Sequence, residues 1–359
     1  MKTQIYDVRG ISDEKELEII MTAPAKTLAE GGVVAFPTET VYGLGGNAFD
    51  DNAVERIFAA KGRPSDNPLI VHIAHKAQLK EIVKAVPQKA EPLMNRFWPG
   101  SLSIIMKRTD RVPDCVTAGL DTVAIRMPIN PEARVLLSIC GCPVAAPSAN
   151  LSGKPSPTRP QHVVHDLDGR IDAIIMGRDC DVGIESTVID LTVEPPVILR
   201  PGIVTKEEIE AEIGPVLMAG RREKTEIPKA PGMKYTHYAP DAPLIVYEGS
   251  GNNYYNAILS ESRAAINEGK RIAVLAADES LEKLAVLRAE SPEKCSIFCL
   301  GSALKPETIA YNLFDLLRKC DDEGFDLILA EAAKAEGTGF SVMNRMDKAA
   351  VQIRAIAAD

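Results

Sequence analysis

The sequence contains no run of about 18 apolar residues, so no helical membrane span is expected from it. Its first ten residues hold neither an apolar core nor a small-residue cleavage site, and no secretory signal is expected. Positive charge is scarce: 41 Lys and Arg stand against 50 Asp and Glu, a net −9, which disfavours binding a polyanion through the overall field. A phosphate ligand would need a local basic cluster. The seven cysteines are scattered, and Cys140-Gly141-Cys142 and Cys295/Cys299 lack the paired spacing or flanking His of a zinc site. Reduced, mostly buried thiols of a cytoplasmic protein are the expectation. Gly153-Lys154 and Gly269-Lys270 lack the rest of a phosphate-binding P-loop, and no nucleophile elbow or Ser-Lys pattern occurs. Gly and Pro number 25 each with no triplet period, so a collagen-like chain is excluded.

What remains is globular. At 359 residues and 45% apolar content, two domains are expected. Residues 1–210 alternate short apolar runs with helical patterns. Strands are expected at 32–36, 69–73, 102–106, 122–126, 143–146, 173–176, 187–190 and 197–200, and a helix at 51–60 capped by Asp51 or Asn52. This is an α/β domain with a large, twisted open sheet. Residues 211–240 read as a linker broken by proline, its last twenty carrying +3. Residues 241–359 read as a smaller Rossmann-like parallel βαβαβαβα domain, ending in a helix at about 345–357. Residues 1–220 and 241–359 carry −6 each. Gly43-Leu44-Gly45-Gly46 is not read as a dinucleotide site, because six residues part it from the preceding strand, too many for a tight dinucleotide-binding turn. His162 and His165 read as a surface pair.

The chemistry-bearing residues cluster in Gly/Pro-rich loops. Lys61-Gly62-Arg63 before a Pro-fixed turn and Asn67 is the local basic cluster that the charge balance calls for. A point charge and a bidentate fork can converge there on one polyphosphate, or simply complement a helix C-terminus. Ser148, Asn150, Ser152 and Ser156 offer hydroxyls, an amide and backbone N–H groups to an anion, or an ordinary turn. Phe36-Pro-Thr-Glu-Thr-Val-Tyr-Gly-Leu44, Lys61–His72, Trp98-Pro-Gly100, Val123–Pro128, Ala146–Asn150, Glu185–Val188, Leu199–Gly202 and 231–240 follow one another in a fixed order. As an ordered set they resemble the threonylcarbamoyl-AMP synthase family in its two-domain form, with a YrdC-like catalytic domain. The resemblance continues through Gly337, Gly339 and Asn344-Arg345.

That resemblance implies an enzyme that joins L-threonine, bicarbonate and ATP into threonylcarbamoyl-AMP and releases pyrophosphate, in support of a tRNA modification. It implies Lys61 and Arg63 as catalytic cations on the triphosphate. Asn67, Thr117, Ser148, Asn150, Ser156, Arg200 and Tyr238 would be further ATP contacts. Thr40, His72, Arg126 and Ser186 would form the threonine pocket. Arg126 could equally be a structural ion pair, and a lone His in an apolar strand such as His72 is often a core residue. Mg2+ would arrive on the ATP phosphates rather than in a protein carboxylate cage. Segment 231–240 would close as a lid. A downstream tRNA-modifying transferase complex is the expected partner, with weak or no direct tRNA binding. The competing classes are an RNA-binding module, disfavoured by the −6 on each domain, and a carbamoyl-transfer domain of hydrogenase maturation, disfavoured because no Cys-x-x-Cys occurs.

Overall fold

Short apolar runs bounded by Gly and Pro make short strands, and the first sheet is built almost wholly from strands of two to six residues. The computed structural model describes residues 2–220 and 238–357. These divide into two units, one of residues 2–152 and 156–220, the other of 153–155 and 238–357. Eleven strands of the first unit form one mixed sheet. Its order is Gln4–Asp7, Ala173–Met176, Val34–Phe36, Gly43–Asn47, Val144–Ala146, Ile70–His72, Thr122–Arg126, Leu102–Lys107, Thr187–Asp190, Val197–Arg200 and Leu217–Met218. The sheet thus runs beyond residue 210. Its apolar residues pack into a core that includes Leu44, Ile57, Val71, Ile104 and Ile125, all buried.

Two local readings are corrected. The helix Asp51–Lys61 is capped by Asp50, whose carboxylate accepts from Asn52 N–H; Asp51 and Asn52 lie inside the helix. The glycines at 43–46, absent from the expected strands, form one at Gly43–Asn47. Glycine is depleted in strands, but here a side chain would not fit. A Cβ on Gly45 would lie 2.7 Å from Val144 Cγ1 and 2.8 Å from Phe36 Cε1. The helix Asp51–Lys61 stops at Gly62, whose φ of +60° is the left-handed conformation that suits glycine. Lys61 is therefore held on the last turn, and it is buried.

The second unit carries five parallel strands in the order Cys295–Gly301, Ile272–Ala277, Leu327–Glu331, Leu244–Glu248 and Gln352–Ala355. Helices Asn252–Asn267, Leu281–Glu290, Pro306–Glu323 and Thr338–Ala349 connect them. The C-terminal helix expected at 345–357 is overturned: the helix ends at Ala349, and residues 352–355 pair with 245–248. A four-residue strand gives too short an alternation to stand out from the helix before it. Across this sheet Glu331 joins two strand ends, accepting from Ala277 N–H at 2.7 Å and Ser280 O–H at 2.9 Å.

Candidate active site

The sheet brings distant loops together at the ends of its shortest strands. At one end of Ile70–His72, the Lys61 ammonium donates to the main-chain carbonyls of Ser148 and Asn150, both at 2.5 Å, and to Asn150 Oδ1 at 3.3 Å. Ser148 Oγ donates to the same amide oxygen at 2.5 Å. Lys61 thus forms one knot with Ser148 and Asn150, more than 80 residues further along the sequence. Beside it on the chain, Arg63 reaches the carbonyls of Asn67 (3.3 Å) and Pro68 (3.5 Å). Asn67 is completely buried, and neither atom of its amide has a hydrogen-bond partner among the described residues. A buried amide without a partner costs roughly 1–3 kcal/mol, so such a group marks a place where a polar ligand or water is wanted.

Loop 38–42 ties this knot to a second one. Tyr42 main chain accepts from Ala149 N–H and donates to the Pro157 carbonyl, while its hydroxyl donates to the Arg178 carbonyl. A few residues earlier, Thr40 Oγ1 accepts from Arg126 at 2.7 Å, and the Arg126 guanidinium lies 2.6 Å from the Glu39 carboxylate. Arg126 Nε donates to the Gly100 carbonyl. Both members of the ion pair are buried, and Ser101 Oγ donates to Glu39 as well. Glu39, Thr40 and Gly100 thus hold the Arg126 guanidinium in place, and its Nη2, beside Glu39, makes no hydrogen bond among the described residues.

A third knot adjoins through segment 100–103. Arg200 donates to the Ser186 carbonyl and to its hydroxyl, both at 3.0 Å, and the Ser186 and Ser103 hydroxyls are 2.8 Å apart. Next to Ser186, Glu185 accepts from Ser156 Oγ at 2.5 Å. His72 is the register partner of Arg126 on the neighbouring strand. Burial, helped by the Arg126 charge, pushes its imidazole down to about 3, and Nδ1 sits 3.1 Å from the Ile70 carbonyl. His72 is thus a neutral, main-chain-bonded residue at neutral pH, with its ring edge-on to Phe36.

Two expected residues remain, Thr117 and Tyr238. Thr117 is buried and hydrogen-bonds within its own turn, to the Asp114 carbonyl. Tyr238 lies in the second unit, where its ring packs against Phe314 with centroids 5.0 Å apart. Residues 231–237 of the expected lid lie outside the described residues. His162 and His165 both lie on the helix Pro160–Leu167. Nδ1 of His162 faces the N–H groups of Thr158 and Arg159 and caps the helix Pro160–Leu167, while His165 is exposed. Four residues given no role from sequence belong to the network: Glu39, Ser101, Ser103 and Glu185. Glu39 and Glu185 lie inside the ordered motifs, and that position was the signal available for them.

The arrangement offers buried cations, hydroxyls and amides held by main-chain partners. Preorganised groups of this kind bind anions and stabilise developing negative charge without reorganising at the moment of reaction. None of the bonds described here couples a nucleophile to a histidine base. Among the described residues no three His, Cys, Asp or Glu side chains are grouped to hold a metal ion, and no helix is long and apolar enough to cross a membrane.

Comparison with known proteins agrees with the order of the motifs. Residues 26–202 match the family model described as telomere recombination, and residues 204–351 match the model described as threonylcarbamoyl-AMP synthase, C-terminal domain. The threonylcarbamoyl-AMP synthase of Bacillus subtilis is 48% identical over 353 residues, covering 98% of both chains. That of Pyrococcus abyssi is 47% identical over 349 residues, covering 97% of both. The solved structure of Pyrococcus abyssi Sua5 complexed with L-threonine matches with a TM-score of 0.89 at 46% identity, covering 99% of this chain and 100% of that one.

Proposed function

This chain belongs to the threonylcarbamoyl-AMP synthase family, and from that premise we propose how its three knots divide the work. The enzyme condenses L-threonine, bicarbonate or CO2, and ATP into threonylcarbamoyl-AMP and releases pyrophosphate. The threonine amine attacks CO2 and loses a proton to give a carbamate. A carbamate oxygen then attacks the α-phosphorus, and the bond to pyrophosphate breaks. The substrate supplies the nucleophile, so the protein needs no Ser, Cys or His in that role. Its task is positioning and neutralising charge.

Lys61 and Arg63 stabilise the charge that builds on the α-phosphate and the leaving pyrophosphate. Ser148, Asn150 and Asn67 orient the nucleotide, with Thr117, Ser156, Arg200 and Tyr238 as further contacts. Thr40, Arg126 and Ser186 face the amino acid. Arg126 meets the threonine carboxylate while Glu39 keeps the guanidinium oriented. His72 supports this pocket as a neutral wall rather than as a cation. Mg2+ arrives on the phosphate oxygens of the substrate. The product passes to a tRNA-modifying transferase, and direct tRNA binding is weak. Segment 231–240 excludes water from a carbamate that decarboxylates and an anhydride that hydrolyses readily.

The observation that carries this reading is the Lys61 ammonium tied to the Ser148 and Asn150 carbonyls, next along the chain to the partnerless Asn67 amide. The RNA-binding and hydrogenase-maturation readings have no comparable support, since the family match spans nearly the whole chain. The test is pyrophosphate release from labelled ATP. Release should require both threonine and bicarbonate and should collapse in Lys61→Ala. Release that continues unchanged without threonine would overturn the reading.

A further inference from the structure

Cys140 closes the helix Pro131–Cys140, and Cys142 stands immediately before Pro143 and the strand Val144–Ala146. Gly141 between them is exposed and has a φ of +72°, a left-handed turn that glycine makes without strain. This turn brings the two sulfurs to 3.0 Å. A disulfide has an S–S length of about 2.05 Å, so closure asks the sulfurs to move by about 1 Å. Cys140 is buried and Cys142 is partly exposed, so one sulfur can be reached from solvent and the other is held behind it. The arrangement differs from that of other thiols in the chain. Cys115 and Cys299 donate to the carboxylates of Asp51 and Asp278, contacts that oppose thiolate formation. The neighbour of Cys140 is instead a second thiol, and the hydrogen bond the two share holds the Cys140 thiol below the ordinary range and the Cys142 thiol above it.

We propose that Cys140 and Cys142 form a thiol–disulfide exchange site, which takes a low-molecular-weight disulfide such as oxidised glutathione and closes to an intramolecular disulfide. Cys140 gives up the pair's first proton to solvent, Cys142 passes its own proton to Cys140 across the 3.0 Å contact, and the Cys142 thiolate, on the accessible side, attacks one sulfur of the glutathione disulfide. That S–S bond breaks and one glutathione thiolate leaves. Cys140, likewise deprotonated, attacks the Cys142 sulfur of the mixed disulfide and expels the second glutathione thiolate. The two thiolates take up two protons. The protein dithiol is oxidised by two electrons, and glutathione disulfide is reduced to two molecules of thiol. The site lies at the root of the strand that runs into Ser148 and Asn150, yet its chemistry is independent of the function proposed above.

The test uses the full-length chain, reduced and then equilibrated with oxidised glutathione, alkylated under denaturing conditions and mapped by mass after digestion. The expected result is a loss of two of the seven alkylatable thiols, with both missing from the peptide that holds residues 140 and 142 and no glutathione on it. In Cys142→Ser, Cys140 should no longer close a disulfide. Two findings with the unmodified chain would overturn the proposal: both thiols alkylated while exposed Cys299 carries glutathione, or glutathione retained on Cys142 with Cys140 alkylated.

Discussion

The two units bury charge in different ways. In the first, Lys61, Arg126 and Arg200 end on carbonyls, hydroxyls and one carboxylate supplied by loops remote in sequence. Its strands are short and mixed in direction, so many loops converge on few strand ends. In the second, the strands are parallel and regular. Glu331 staples two neighbouring strand ends through Ala277 N–H and Ser280 O–H, and the buried Arg345 donates to Asn344 Oδ1 and the Ser341 carbonyl of its own helix. The contrast separates charge that shapes a pocket from charge that fastens a scaffold. It also accounts for how the −9 is compatible with binding a triphosphate: three cations of the first unit, Lys61, Arg126 and Arg200, are drawn into its interior.

That contrast can be broken at several points. The largest effect is expected in Arg126→Ala, which leaves Glu39 as a buried carboxylate without its cation. A loss of about 3–5 kcal/mol is expected in denaturant unfolding. Amide exchange in Ile272–Ala277 should be unchanged if the second unit is an independent scaffold. Lys61→Ala should cost about 10²–10³-fold in kcat, the range for removing one preorganised donor. A rate within a few-fold of the unmodified enzyme would move Lys61 from the pocket class to the scaffold class. Gly45→Ala should destabilise by about 1–3 kcal/mol, read by thermal melting, because its methyl meets Val144 and Phe36.

The pH dependence is a finer probe. His72 titrates at about 3 in the folded protein against an ordinary value of 6.5. Between those values the unfolded chain binds the extra proton, so stability falls as pH drops through that window. The slope contributed by this one group is at most about 1.4 kcal/mol per pH unit. His72→Gln should flatten the difference in unfolding midpoint between pH 6.5 and pH 4.5 relative to the unmodified chain. The smallest effect is expected in the second unit, where burial raises the Glu331 carboxyl above the ordinary range. Glu331→Gln relieves that cost but turns one acceptor into a donor, and a net change of about 1 kcal/mol is expected.

Much of the fold was legible because apolar runs with clear boundaries make strands in either unit. Residues 122–126, 173–176, 187–190 and 197–200 are strands at the bounds expected from sequence. Gly43–Asn47 was not legible, because its glycines answer to Phe36 and Val144 across the sheet rather than to local propensity. The terminal strand 352–355 was hidden by its length and by the helical pattern before it. In the site, the ordered motifs brought out Lys61, Ser148, Asn150, Thr40 and Arg126. They could not reveal that Arg126 is engaged by Glu39, since that pairing joins positions 87 apart and exists only once the loop and strand meet. His72 shows the same limit: its environment, not its identity, removes its charge.

Asn67 carries a consequence for how the protein should respond to heat. A fully buried amide lacking partners raises the free energy of the folded chain, and any molecule that supplies those partners lowers it. Binding to the native state alone shifts the unfolding equilibrium by mass action, by about 2.7 kcal/mol at a hundredfold excess over the dissociation constant. A nucleotide that meets Asn67 should therefore raise the melting temperature in proportion to the logarithm of its concentration. Asn67→Leu, similar in volume but with nothing to satisfy, should melt higher than the unmodified chain in plain buffer and gain less from the nucleotide.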